Sequence, residues 1–253
     1  MSRRLITTDV HGGYLALKQC LDRCNFDYDN DTLYFGGDIC DGFSQVKECI
    51  DLLLTIKNLV YLIGNHDVWT LEYYTNKMFI NDNDYLSWQY HGGTATIKSF
   101  GDKKVIDKKY IDFLQKALPY HITADNILMI HAGYYPEYDI KLHDIDSLIW
   151  NRTFSKHVYG LYSSGYIVDI GGYKEIYIGH TPVQVYERNK DEPLIMGNVI
   201  MMDTGSCFKG KLSIMDIDTK ELWQSEHVWK LYHDEKGRND MSYTDYIKTN
   251  RKI

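Results

Sequence analysis

Between residues 3 and 70, short apolar runs alternate with segments whose apolar positions recur every three or four residues. Leu5-Ile6 leads a first strand, and Tyr14, Leu17, Leu21 and Cys24 then fall on one helical face. Leu33-Tyr34-Phe35 forms a second strand, Val46, Ile50, Leu53 and Leu54 stripe a second helix, and Leu59 to Ile63 forms a third strand. Strands alternating with such helices predict βαβ units and parallel pairing. Residues 69 to 118 read as mostly helical, with a turn at His91-Gly92-Gly93. Asn126 to Ile130 is a clear strand, residues 151 to 172 carry little pattern and predict a long loop, and strands recur at 176–178, 199–202 and 212–215. No linker or repeat divides the chain. The expected organisation is a single domain over residues 1–233, followed by a polar C-terminal tail over 234–253.

The polar residues that interrupt this pattern sit in one kind of place. The first strand runs into Asp9-Val10-His11-Gly12-Gly13, the second into Gly36-Gly37-Asp38-Ile39-Cys40-Asp41-Gly42, and the third into Gly64-Asn65-His66-Asp67. The strand near 128 runs into His131-Ala132-Gly133, and the strand near 177 into Gly179-His180-Thr181-Pro182. Ligands bind outside the carboxyl ends of strands in open α/β sheets, so five such clusters can converge on one spot.

That spot would hold Asp9, His11, Asp38, Asn65, His131 and His180, a set of oxygen and imidazole donors without thiolate. Such donors suit manganese, iron or zinc and disfavour a structural zinc site. A carboxylate shared by two cations could hold them roughly 3.5–4 Å apart, the spacing of two-metal phosphoesterases. Taken singly, an Asp-x-His after a strand is usually a helix cap, Gly-Asn-His-Asp is usually a turn, and His131 could be a satisfied core histidine. Their joint occurrence, each directly after a strand, is not what capping produces.

Composition narrows the remaining classes. The net charge of -7 disfavours a dedicated nucleic-acid binder. The five cysteines are odd in number and form no disulfide framework, which predicts a reducing, cytoplasmic setting. Cys20 and Cys24, one helical turn apart, read as core thiols rather than half of a zinc site. No signal peptide is expected, and no apolar run approaches the roughly 20 residues of a membrane span.

Asp9-x-His11, Gly37-Asp38-x-x-Asp41, Gly64-Asn65-His66-Asp67, His131 and Gly179-His180-Thr181 together resemble the calcineurin-like metallophosphoesterase signature, over roughly residues 3 to 216. His11-Gly12, Trp150-Asn151-Arg152 and Asp203-Thr204-Gly205 resemble the phosphoprotein phosphatase branch, in its small phage and bacterial form. Trp88 through Thr96 is similar to a segment shared with the symmetrical diadenosine tetraphosphate hydrolases.

The resemblance implies an α/β fold, a two-sheet β-sandwich flanked by helices, and two divalent ions, manganese before iron or zinc. Asp9, His11 and Asp38 would hold the first ion. Asp38, Asn65, His131 and His180 would hold the second, with Asp38 bridging. A hydroxide between the ions would attack phosphorus, and His66, oriented by Asp41, would protonate the leaving oxygen. Arg152 would bind the phosphoryl oxygens, with Asn65 also at the substrate. Gly42 stands where the family usually carries an arginine; Lys209 and Lys211 could partly substitute, although they read more simply as exposed lysines flanking a strand.

The expected activity is therefore a serine/threonine-type protein phosphatase, acting on a phosphorylated protein or a small phosphoester. The alternative is a dinucleoside polyphosphate hydrolase, and a binding module that keeps the fold without chemistry is the third class. Few cations lie near the motifs, and that favours the first reading over a highly anionic dinucleotide.

Overall fold

The computed structural model describes residues 2–75 and 82–238. In chain order, the first half contains β1 (Arg4–Thr7), α1 (Tyr14–Arg23), β2 (Thr32–Phe35), α2 (Val46–Leu53), β3 (Asn58–Tyr61), α3 (Asn65–Tyr74), α4 (Asp82–Trp88), α5 (Thr94–Ser99) and α6 (Lys108–Gln115). The second half contains β4 (Tyr120–Ile122), β5 (Ile127–Ile130), α7 (Ile145–Trp150), α8 (Arg152–Ser163), β6 (Glu175–Ile178), β7 (Leu194–Met196), β8 (Val199–Met201), β9 (Lys211–Asp216), β10 (Leu222–His227) and α9 (Val228–Leu231).

Two five-stranded sheets result, ordered β10-β9-β1-β2-β3 and β4-β5-β6-β8-β7. β1, β2 and β3 pair in parallel, as do β5, β6 and β8, while β9, β10, β4 and β7 join antiparallel. Each sheet thus has a parallel centre completed by antiparallel strands, which is the expected sandwich with a mixed rather than purely parallel ladder.

Successive residues of each central strand serve different layers. Leu5 and Leu33 face α1, α2 and α6, whereas Ile6 and Tyr34 meet Met129, Tyr177 and Ile200 of the other sheet. Leu128, Ile130, Ile176 and Ile178 then face the α7–α8 side, together with Phe154 and Val158. The strands are buried on both faces, so they read as continuous apolar runs instead of clean alternation.

Three departures from the sequence reading have physical causes. Residues 151–172 are not a long loop, because α8 occupies Arg152–Ser163. Its buried face is only Phe154, Ser155 and Val158, too sparse for periodicity to show, although the Asn151 side chain caps it by accepting from Phe154 N–H at 3.1 Å. β4, β7 and β10 also escaped notice; they are antiparallel additions, two of them, β4 and β7, only three residues long, and β4 and β10 are largely half-exposed. Finally, the chain stays on the body beyond residue 233. Glu235 accepts from Ser44 N–H at 2.8 Å and from the Ser44 hydroxyl at 2.7 Å. The rest of the expected tail, residues 239–253, lies outside the described residues. All five cysteines are buried and free, and among the described residues no helix is long and apolar enough to cross a membrane.

Candidate active site

The loops leaving β1, β2 and β6 turn sharply at the residues that carry the chemistry. Asp9, His11, Asp38, Asp41 and His180 all have left-handed backbone, with φ of 54, 49, 58, 68 and 65°. Five of the nine such non-glycine residues described are therefore at one site, where strain of this kind tends to collect. The first two loops are tied together: Asp9 N–H donates to Gly37 O and His11 N–H to Asp38 O, both at 2.9 Å. The third loop presses its backbone onto Asp38, and a β-carbon at Gly64 would lie 2.1 Å from Asp38 Oδ1, so only glycine permits that approach.

One carboxylate organises these loops. Asp67 accepts from the N–H groups of Asp38 (2.9 Å), Ile39 (3.0 Å), Cys40 (3.2 Å) and Gly64 (2.9 Å) while wholly buried. Four charge-assisted bonds from backbone fix the second loop against the start of α3.

The predicted ligands are brought together. Asp38 Oδ2 lies 3.6 Å from His11 Nε2 and 3.4 Å from His131 Nε2, so it stands between two imidazoles. Asp9 Oδ1 is 3.9 Å from His11 Nε2. Asn65 Oδ1 lies 3.2 Å from His131 Nε2 and 2.9 Å from His180 Nδ1. Two of the far ring nitrogens are occupied: His11 Nδ1 faces Cys40 O at 3.0 Å, and His131 Nδ1 faces Gly36 O at 2.8 Å, whereas His180 Nε2 is buried without a hydrogen-bond partner. Those carbonyls accept from Nδ1 and turn Nε2 of each ring towards Asp38.

Donors of His11, Asp38 and His66 form one group able to hold a cation, and those of Asp38, His131 and His180 form another. The charge balance points the same way. Burial and the neighbouring Asp203 hold Asp9 well above the usual carboxylate range. Burial raises Asp203 to about 6. Burial would lower His131, but the carboxylates of Asp38 and Asp9 outweigh it and raise it to about 10. The cluster has a surplus of negative charge that divalent cations would neutralise.

His66 stands beside this cluster. Its Nδ1 lies 2.7 Å from Asp41 Oδ2, leaving Nε2 for the reaction centre. Asp41 is itself held from two sides. Trp88 Nε1–H donates to Oδ2 at 2.8 Å, and the Thr96 hydroxyl donates to Oδ1 at 2.7 Å while accepting from Asp41 N–H at 2.9 Å. Burial raises Asp41 well above its ordinary range and lowers His66 well below its own.

A wall of rings continues outwards. Trp69 meets His66 edge-on with centroids 5.0 Å apart, stacks on His91 at 6.0 Å and meets Trp150 at 5.0 Å. Trp150 in turn meets His180 at 6.0 Å. Arg152 is exposed on the first turn of α8.

The calcineurin-like phosphoesterase family model matches residues 2–225. The chain belongs to that family. This phosphoesterase is 25% identical over 234 residues to the asymmetrical bis(5'-nucleosyl)-tetraphosphatase PrpE of Bacillus mycoides, an alignment covering 82% of this chain and 87% of the relative. It is 30% identical over 142 residues to a symmetrical bis(5'-nucleosyl)-tetraphosphatase of Wigglesworthia glossinidia brevipalpis, covering 55% of this chain and 47% of that relative, so it spans only about half the relative's length. Its fold is similar to that of a protein serine/threonine phosphatase from Saccharomyces cerevisiae, with a TM-score of 0.53 at 14% identity, covering 89% of this chain and 80% of that one. It is also similar to a metallophosphoesterase from Sphaerobacter thermophilus, with a TM-score of 0.55 at 17% identity and 89% of each chain covered. A metal-dependent phosphoesterase of dinuclear type follows from the family and from the two donor groups.

Several residues around the phosphoesterase site were not assigned from sequence. The roles of Asp67, Trp88 and Thr96 are positional, and only the long-range hydrogen bonds reveal them. Trp69 lies three residues beyond His66, and its helical offset was the available signal. Lys209 and Lys211 do not fill the place left at Gly42. Lys211 pairs with Asp191 at 3.5 Å, and the Lys209 ammonium lies over the Trp229 ring, 5.6 Å from its centroid. A larger residue at Gly42 would be strained: its φ is +109°, and a β-carbon there would lie 3.0 Å from His11 O.

Proposed function

We propose that this phosphoesterase hydrolyses dinucleoside polyphosphates of the diadenosine tetraphosphate type, with Asp9, His11 and Asp38 holding one divalent cation and Asp38, Asn65, His131 and His180 the other. The observation that carries the substrate class is the ring wall of Trp69, His91 and Trp150, which begins at His66 and His180. Aromatic faces at a phosphate site offer bases a stacking surface, a contribution of about 1–3 kcal/mol per base. The named activities of the relatives aligned over 82% and 55% of the chain support the same class. The sequence favoured a phosphoprotein substrate because few cations lie near the motifs and the net charge is negative; Trp69 and Trp150 lie 81 positions apart and meet only in the fold.

Imidazole-rich donor sets favour manganese, iron or zinc over magnesium, and manganese is our choice. Bound there, two such ions supply Lewis acidity and lower the pKa of the attacking water. The protein does the rest. Arg152 steadies phosphoryl oxygens with a planar fork. His66 gives its Nε2 proton to the leaving oxygen as the phosphorus–oxygen bond breaks. Burial disfavours separated charge on the His66–Asp41 pair, so Asp41 Oδ2 and His66 Nδ1 share one proton and Nε2–H is kept for the reaction. As Nε2 loses its proton, Nδ1 gains the shared one. Water enters and the two phosphate-bearing products leave.

A serine/threonine protein phosphatase is the second reading. Its support is the capped start of α8, where Asn151 fixes the backbone and places Arg152 as the single exposed cation a monoester needs. Side-by-side kinetics with manganese separate the two. We expect kcat/KM for diadenosine tetraphosphate to exceed that for a phosphoserine peptide by about tenfold or more, and Trp69→Ala to erase most of that margin while sparing a simple aryl phosphate. A preference for the peptide, unchanged in Trp69→Ala, would give the site to the protein phosphatase reading.

A further inference from the structure

We propose that Arg238, supplied by the segment that follows α9, is a substrate-binding residue of this phosphoesterase and holds phosphoryl oxygens opposite Arg152. The inference rests on the phosphoester reading of the site and is independent of which phosphoester is cleaved.

The segment is fastened to the loop that follows Asp41. Tyr232 stacks on Phe43 with centroids 4.5 Å apart, donates from its hydroxyl to Gln45 Oε1 at 2.8 Å and accepts from Leu15 N–H at 2.9 Å. Glu235 holds the backbone and hydroxyl of Ser44. Arg238 N–H then donates to Cys207 O at 2.9 Å, and the guanidinium carbon lies 5.3 Å from the Phe208 ring centroid. These contacts carry the guanidinium into the cleft, where Nη2 approaches His91 Nδ1 at 3.4 Å. His91 is the ring stacked on Trp69, one step from His66.

What the guanidinium lacks is an anion. Its Nε is buried without a hydrogen-bond partner. Among the described residues no carboxylate forms an ion pair with Arg238, and the group that its Nη2 approaches, His91, is an imidazole rather than an anion. A half-buried cation facing imidazoles, with a donor unused, is costly unless something negative completes it. A phosphoryl group is the anion this site handles, and a guanidinium matches two of its oxygens at once. Arg152, on the first turn of α8 two residues after Trp150 of the ring wall, bounds the same cleft. The position at Gly42 contributes no side chain.

The test uses the full-length, manganese-loaded protein with Arg238→Gln and Arg238→Lys, p-nitrophenyl phosphate as substrate, and inorganic phosphate as competitive inhibitor and as thermal-shift ligand. We expect Arg238→Gln to lower kcat/KM on the order of 10²-fold and to weaken phosphate inhibition about tenfold. The phosphate-induced rise in melting temperature should shrink in parallel, with metal content and the ligand-free melting temperature unchanged. Arg238→Lys should recover part of each. Unaltered phosphate inhibition and thermal shift in Arg238→Gln would overturn the proposal, even if activity fell, because the segment would then be a structural strap. Since the thermal shift needs no turnover, it decides the point even for a protein that cleaves no phosphoester, an outcome that would sink the proposed function separately.

Discussion

The six side chains around Asp38 are between 0 and 6% exposed, whereas Trp150 is 38% exposed and Arg152 is exposed as well. The two regions are built differently as well as buried differently. The floor residues lie in the turns and the helix start that follow strands, and backbone orients three of them: carbonyls of Gly36 and Cys40 aim two imidazoles, and the N–H of His66 holds Asp38 Oδ1 at 3.0 Å. The outer residues come from α3, the turn before α5, the α7–α8 junction and the segment after α9, and side chains place them. A floor fixed by backbone can keep one chemistry while the surrounding wall changes substrate, consistent with relatives that share the fold but carry different names.

The largest test of this division is Asp38→Asn. Asp38 stands between both donor groups, so the variant should lose metal by elemental analysis and lose activity on all phosphoesters alike, by on the order of 10⁵-fold. A variant that kept both ions and near-normal turnover would mean that the bridge lies elsewhere. His66→Asn comes next. It should retain metal and lower kcat on the order of 10³-fold for alkyl phosphoesters. The loss should be much smaller for esters with very acidic leaving groups, and a uniform loss across a leaving-group series would remove His66 from the proton-transfer role.

The smallest effect concerns the boundary between floor and wall. Gly42→Ala must place a β-carbon 3.0 Å from His11 O in a left-handed backbone. It should cost about 1–3 kcal/mol in denaturant unfolding, and Gly42→Arg should be no better despite supplying the arginine that the family resemblance implies. An arginine variant that was both stable and more active would show that the loop can open.

The same division decides what could be read in the sequence. Asp9, His11, Asp38, Asn65, His131 and His180 were legible because ligand chemistry coincides with strand ends, two local signals that reinforce each other. The central strands were legible because burial on both faces makes them uniformly apolar. α8 was not, since Lys156 and His157 face outwards and only three side chains are buried. Arg238 carries no local signal at all: its importance comes from Glu235 reaching Ser44, 191 positions away. Asp67 stood inside a recognised motif, yet its four backbone partners are 3 to 29 positions distant, and its role as an organiser needs the coordinates.

The left-handed residues at 9, 11, 38, 41 and 180 set this protein against its own robustness. A selection for thermal tolerance alone would move towards glycine at each of them, because glycine takes that conformation without the roughly 1 kcal/mol penalty of a side chain. Every such gain would delete a donor or the partner of His66. Variants enriched at these positions in a heat challenge should therefore be depleted in a phosphatase screen, and that inverse relation would test their proposed role without reference to any relative.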